Sequence, residues 1–251
     1  MTGPVLAGAE PFSAPGGPNG VLVVHGFTGS PQSMRPLAEA LAAAGHAVEL
    51  PLLPGHGTSV ADMGATGWQD WSGAAEAAYL ELARRCERVV VAGLSMGGTL
   101  ACWLAVNHPE IAGVVAVNPM VEPVAESFLD VIRGVMEAGE TTAAGIGSDV
   151  ADPDVTELAY DAIPLAPLLG LQAAVIELAG RLADIRCPLL LLSSRQDHVV
   201  PPSNADFLAR SVSGPVERVS LERSYHVATI DYDRDEIARR ATEFAAKVFG
   251  G

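Results

Sequence analysis

The 251-residue sequence predicts an α/β fold: a mostly parallel sheet flanked by helices, with a small, mostly helical cap inserted after the strand ending near Asn118. Three observations carry this. Strand-like runs at 20–24, 47–50, 89–93, 113–118, 188–193 and 216–221, most of them apolar, alternate with segments of helical length, the pattern of a parallel sheet covered on both faces. One of these runs enters Gly93-Leu94-Ser95-Met96-Gly97 and is followed directly by a helix-compatible stretch. Finally, the alternation stops at residues 119–185, where 12 Asp and Glu face only Arg133 and Arg181, so −10 of the net charge of −15 lies there. The core is therefore assigned to 1–118 and 186–251, and the cap to 119–185.

Taken in order, residues 1–19 are rich in Gly and Pro and give only a weak hairpin signal. The 20–24 run has the look of a buried parallel strand and empties into His25-Gly26-Phe27-Thr28-Gly29-Ser30-Pro31. Ser30 as N-cap and Pro31 at the first helical position predict a helix to Ala44, stopped by Gly45, with Leu37 and Leu41 on its buried face. A strand at 47–50 precedes the turn-rich Leu53-Pro54-Gly55-His56-Gly57. Thr66 and Gln69 have capping-box spacing and predict a helix running to Arg84 and Arg85, whose charges suit a helix C-terminus.

Within 119–185 no strand is evident. Phe128, Leu129, Ile132, Val135 and Met136 recur at helical spacing, which fits either a helix packed on the core or a roof over the site; its position just after Asn118 favours the roof. Beyond it, the sequence predicts a Leu-rich strand at 188–193, a helix near 205–212, a strand at 216–221 and a closing helix from about 233 to 249. The buried stripe of that last helix is Ile237, Ala241, Phe244 and Val248.

Composition bounds the function. A chain with 30 acidic and 15 basic residues lacks the clustered Lys and Arg that phosphate contacts need, so nucleic acid is not an expected partner. No run approaches the roughly 18 apolar residues of a membrane span. Residues 1–20 hold no Lys or Arg and no apolar h-region, so no secretory signal is predicted. Cys86, Cys102 and Cys187 are too few and too scattered for a disulfide framework or a metal cluster, and read as small buried hydrophobes. The expectation is a soluble, cytoplasmic protein without metal or cofactor.

The 89–99 stretch reads as strand, sharp turn and helix, with Gly93 and Gly97 leaving room for a strained Ser95 at a helix N-terminus. A serine hydroxyl needs a base, and the base an orienting acid. Asp197 and His226 follow Ser95 in the chain order Ser, Asp, His, each on a loop after a predicted strand. Among the other histidines, His25 and His56 read as structural, His46 and His108 as capping or surface residues, and His198 as a poor rival beside Asp197. Glu222, Asp231 and Asp233 compete less well for the acid: Glu222 shares the loop of His226, and the other two look like helix starters. Backbone N–H groups of Met96 and Phe27 are the expected oxyanion donors. Gly93 and Gly97-Gly98 lack the spacing of a nucleotide-binding loop.

With these residues placed, the chain resembles the α/β-hydrolase superfamily, and within it the small bacterial carboxylesterases and monoacylglycerol lipases. The resemblance rests on the motifs around His25, His56 and Ser95, on Asp197-His198-Val199-Val200-Pro201-Pro202 and on Ser224-Tyr225-His226-Val227-Ala228-Thr229. The cap is similar as well, at Gly145-Ile146-Gly147-Ser148-Asp149 and Pro153-Asp154-Val155-Thr156-Glu157-Leu158-Ala159-Tyr160. It implies that Glu157 contacts glycerol hydroxyls and that Ile146 lines a narrow entrance; from the residues alone, Glu157 is one acid among twelve. The implied reaction is hydrolysis of a neutral carboxylic ester, a monoacylglycerol above all, with at most transient contact with lipid aggregates. A general esterase for short and medium acyl chains is the alternative. A thioesterase for acyl-CoA fits the acidic cap poorly, and a ligand-binding receptor would not need the full set of Ser, His and Asp.

Overall fold

The structure, a computed structural model, describes residues 3–145 and 147–250; the expectation for Ile146 falls outside these residues. The elements are β1 (Phe12–Ala14), β2 (Asn19–Val24), α1 (Arg35–Ala43), β3 (Ala47–Leu50), α2 (Val60–Gly64), α3 (Trp68–Arg85), β4 (Arg88–Leu94), α4 (Met96–Asn107) and β5 (Gly113–Val117). There follow α5 (Glu126–Glu137), β6 (Thr142–Ala144), β7 (Ala162–Pro164), α6 (Leu165–Ala179), β8 (Leu189–Ser194), α7 (Ser203–Ser211), β9 (Val216–Leu221) and α8 (Arg234–Gly250). Seven strands form one sheet in the order β1-β3-β2-β4-β5-β8-β9, parallel except for β1 at the edge.

Alternate residues of the strands serve the two faces. Leu22 and Val24 of β2 join Trp71, Tyr79, Leu100 and Leu104 from α3 and α4. Val21 and Val23 join Leu37 and Leu41 of α1, with Ile237, Phe244 and Val248 of α8, on the other face. The expected stripes of α1 and α8 are therefore the buried ones. The strand order reverses direction around β2 and β4, so the loops leaving their C-terminal ends border a crevice, the usual ligand position in such sheets.

Residues 119–185 depart from their reading: β6 and β7 form a two-stranded antiparallel sheet where no strand is expected. Both are three residues long, too short to show a period. The helix expected from Phe128 to Met136 is α5, but only Leu129 and Ile132 are buried; Phe128, Val131 and Val135 stay exposed. Leu171, Val175 and Leu178 of α6 share the core of α3 and α4. Two helix starts also differ. Ser30 holds the expected N-cap position with Pro31 following, but of a 3₁₀ turn (Pro31–Met34) that precedes α1, and its hydroxyl makes no capping bond, donating to the Leu158 carbonyl across the fold. The N-cap of α3 is Gly67, whose N–H is accepted by Asp70 at 2.9 Å. Thr66 instead donates to the Met63 carbonyl and accepts from the Trp71 indole, so the Thr66–Gln69 capping box is not formed. The five-residue α2, capped by Ser59, was not anticipated. Among the described residues no helix is long and apolar enough to cross a membrane.

Candidate active site

Ser95 ends the turn from β4 into α4 with φ 56° and ψ −120°, a left-handed conformation that a residue with a Cβ adopts only under strain. The glycines around it permit the turn. A Cβ on Gly97 would lie 2.1 Å from the Val24 carbonyl oxygen, and one on Gly93 would lie 2.1 Å from that of Gly97. Strand β2 can thus pass directly beside the start of α4.

His226 lies on the loop after β9 and Asp197 on the loop after β8. Their side chains meet, His226 Nδ1 to Asp197 Oδ2, at 2.8 Å, with both nearly buried. An ionised carboxylate only accepts, so Nδ1 carries the proton and the Nε2 lone pair is left for another partner. The other Asp197 oxygen accepts the backbone N–H groups of Val199 (2.9 Å) and Val200 (2.8 Å), which fixes the carboxylate in place.

Ser95, His226, Phe27 and Glu157 line one cavity of about 210 Å³. The rest of its wall is largely apolar, including Met120, Val124, Phe128, Ile163 and Leu168. Met96, the other expected oxyanion donor, is the first residue of α4 and its side chain is buried in the core beneath. Behind Phe27, the His25 ring bridges two loops: Nδ1 donates to the Gly26 carbonyl at 2.9 Å and Nε2 accepts the Leu53 N–H at 3.1 Å. Burial lowers His25 to about 4, and His56, which donates to the Pro54 carbonyl, to about 3, so both are neutral supports.

Glu157 lies between β6 and β7, and its Oε1 lies where Gly29 has no side chain; a Cβ there would be 2.7 Å away. Burial pushes its carboxyl up to about 7, opposed by the nearby His226 and by the Ser33 hydroxyl. Its backbone N–H is accepted by Ser148 at 2.9 Å. The structure thus brings together Ser95, Asp197, His226, Phe27, Met96 and Glu157.

The rival side chains are engaged elsewhere. His46 packs on Phe249, and His108 bonds Glu76 at 2.7 Å. His198 is exposed and donates to Asp149 at 2.8 Å. Glu222 faces Arg195, and Asp233, which precedes α8, turns its carboxylate back to Arg223 and Ser224.

Three further polar residues, to which the sequence assigns no role in the site, tie its loops together. Asn118, at φ 44°, accepts the Ser194 N–H at 2.7 Å and donates to the His226 carbonyl at 2.8 Å. Its type was the available clue, since Asn tolerates this conformation better than most residues. Asp149 accepts from the His198 and His226 backbone, and Asp231 ties Ala151 and Asp152 to Tyr225.

A strained serine between strand and helix, on a parallel sheet whose later loops present an Asp–His pair, defines the α/β-hydrolase fold. Residues 18–233 match the family designated serine aminopeptidase, S33 (Hydrolase_4), and the chain belongs to it. It is 49% identical over 250 residues to a thermostable monoacylglycerol lipase of Bacillus sp. (strain H-257), covering 98% of each chain. A carboxylesterase of Bacillus subtilis (strain 168) is 27% identical over 242 residues, covering 95% of this chain and 97% of that one. A solved structure from work on LipS and LipT, two metagenome-derived lipolytic enzymes, superposes with a TM-score of 0.93 at 41% identity, covering 97% of this chain and all of the other.

Proposed function

We propose that this protein hydrolyses monoacylglycerols to glycerol and fatty acid through an acyl-enzyme on Ser95, with residues 119–185 acting as a cap over the core. The observation that carries the reading is a single cavity lined by the strained serine, the Asp-paired histidine, apolar side chains and the half-buried, desolvated carboxylate of Glu157 from the cap. The similarity to a monoacylglycerol lipase over 98% of the chain supports the substrate.

In this mechanism His226 Nε2 takes the proton from Ser95 Oγ as the oxygen attacks the ester carbonyl. Asp197 holds the imidazole tautomer and stabilises the imidazolium that forms. The backbone N–H groups of Phe27 and Met96 bind the oxyanion; losing one such donor typically costs about 10²–10³ in rate. His226 returns the proton to the departing glycerol oxygen, and a water activated by the same base then releases the fatty acid. The acyl chain lies along Met120, Val124, Phe128, Ile163 and Leu168, and Glu157 accepts hydrogen bonds from the glycerol hydroxyls. The free cysteines suit a reducing compartment, so we assign the reaction to the cytoplasm, with transient contact with lipid aggregates.

The test is kcat/KM for monoacylglycerols of several chain lengths beside methyl esters of the same acids, in wild type and Glu157→Ala. Preference for glycerol esters in the wild type, lost in the variant, upholds the reading. Equal treatment of both series by both proteins gives the general esterase instead, which the 27% identical carboxylesterase favours. Turnover retained by Ser95→Ala would overturn the mechanism altogether.

A further inference from the structure

The groups assigned above as acid and base stand on separate loops, after β8 and after β9, and something must hold those loops in register. Resting on that assignment, we infer that Asp149 is a positioning residue: its carboxylate staples the Asp197 loop to the His226 loop and fastens the cap segment to both.

One oxygen makes the staple. Asp149 Oδ2 accepts the backbone N–H of His226 at 3.0 Å and that of His198, the residue after Asp197, at 3.2 Å. The other oxygen, Oδ1, accepts His198 Nδ1 at 2.8 Å, and the Asp149 carbonyl accepts the Val227 N–H at 3.0 Å. The carboxylate is largely shielded, 11% exposed against 57% for the imidazole of His198, which stands edge-on to Tyr225. Asp149 also lines the catalytic cavity. Of the four bonds that Asp149 makes here, two fall on the backbone of His198, beside the acid, and of His226, the base itself; the others engage the His198 imidazole and the Val227 N–H. Carboxylate acceptors of this kind form the stronger class of hydrogen bond.

The position in the chain matters as much. The preceding residue, Ser148, accepts the Glu157 N–H at 2.9 Å. Consecutive cap residues thus hold the carboxylate proposed to read glycerol and the backbone of the proposed base. A cap displacement large enough to free Asp149 would release His226 on that side, leaving the Asn118 bond to its carbonyl on the other. Head-group recognition and base alignment then depend on the same short segment.

Three variants test this: Asp149→Ala removes the staple, Asp149→Glu keeps the charge but moves it by one methylene, and Asp149→Asn keeps an oxygen able to accept both backbone N–H groups. Turnover is measured on a small soluble ester, p-nitrophenyl butyrate, and on a monoacylglycerol. The downfield proton resonance of the Asp197–His226 hydrogen bond is recorded alongside. Misplacement of a catalytic group by about 1 Å can cost about 10²-fold, so kcat should fall about 10- to 100-fold in the Ala and Glu variants on both substrates. KM should change less than about threefold, because the lost interaction aligns the base and does not bind substrate. The downfield resonance should shift or broaden in both, and the Asn variant should recover most of the rate and the wild-type resonance. If the Ala variant does not fold, the Glu variant carries the test. Wild-type kcat and resonance in Asp149→Glu would overturn the inference, as would an Asn variant as impaired as Ala. Ser95→Ala, assayed in parallel, separates the two levels: if it stays active the triad reading itself fails, whatever the Asp149 variants do.

Discussion

Glu157 offers a prediction whose sign and size follow from its burial. Its carboxyl is raised from the ordinary 4.5 to about 7 in the folded chain, chiefly by desolvation. Between these values the folded state holds a proton that the unfolded chain has released. Stability therefore falls as pH rises through this window and levels off above it. The full gap corresponds to about 3.4 kcal/mol at about 1.36 kcal/mol per pH unit. Because Glu157 lines a cavity that water can enter, about 2 kcal/mol is the working figure. Glu157→Gln retains the shape and removes the titration. For a chain of this size 1 kcal/mol moves Tm by about 2–4 °C, so raising pH from about 5 to about 8 should favour the variant over wild type by about 4–8 °C. Using the difference between the two proteins cancels every other carboxylate. The assay is thermal unfolding by circular dichroism at both pH values. A Tm difference that is the same at both would refute the buried-carboxylate argument. The same ionisation strengthens Glu157 as an acceptor, so the wild-type preference for glycerol esters over methyl esters should rise through pH 7 and stay flat in the variant.

Four further outcomes are expected. Gly97→Ala should fail to give soluble folded protein, or lose more than about 4 kcal/mol in urea unfolding, because its Cβ would sit 2.1 Å from the Val24 oxygen. Asn118→Ala strands the Ser194 N–H and frees the His226 carbonyl, so it should cost about 2–4 kcal/mol and lower kcat, read by urea unfolding and steady-state turnover. Trp71→Phe, which removes the indole bond to the Pro54 carbonyl beneath Phe27 and His56, should lower urea-unfolding stability by about 1–3 kcal/mol. His25 and His56 are held at about 4 and about 3, so the unfolded chain takes up protons that they refuse as pH falls below about 6.5. Stability should drop from pH 6.5 toward 4, and unfolding midpoints measured across that range should show a shallower drop in His56→Gln.

The features legible in the sequence are those with local chemistry. Ser95 could be read because its strand, its two glycines and its helix are contiguous, and the structure gives it the strained φ that such a turn requires. β2 and β5 matched their apolar runs to within a residue because a buried parallel strand is a continuous hydrophobic segment. Asp197 and His226 were found by their order on loops after strands, and they meet at 2.8 Å. What escaped depends on distant partners. Ser30 and Thr66 have good capping chemistry, but the distant Leu158 carbonyl claims the Ser30 hydroxyl, and Thr66 turns its hydroxyl back to the Met63 carbonyl one turn earlier. Asn118, Asp149 and Asp231 are unremarkable polar residues until the fold brings them to backbone N–H groups many positions away. The β6–β7 pair and α2 are too short to show a period at all.

Glu157 and Asp197 show how two carboxylates around one imidazole take different parts. Asp197 is met by two backbone N–H groups and by His226 Nδ1, a fixed set of donors. Glu157 enters the cavity from the cap through the space left at Gly29, with the Ser33 hydroxyl beside it, and its charge is the costly state. Hydroxyl groups of a bound glycerol would supply the donors that this carboxylate lacks when the cavity holds only water. The same acid placed on the rigid core and saturated with N–H donors, as Asp197 is, would orient a histidine but have little left to offer a substrate. On the function proposed above, selectivity for the alcohol is assigned to residues 119–185 and proton transfer to the core, with the contacts of Asp149 and Ser148 joining the two.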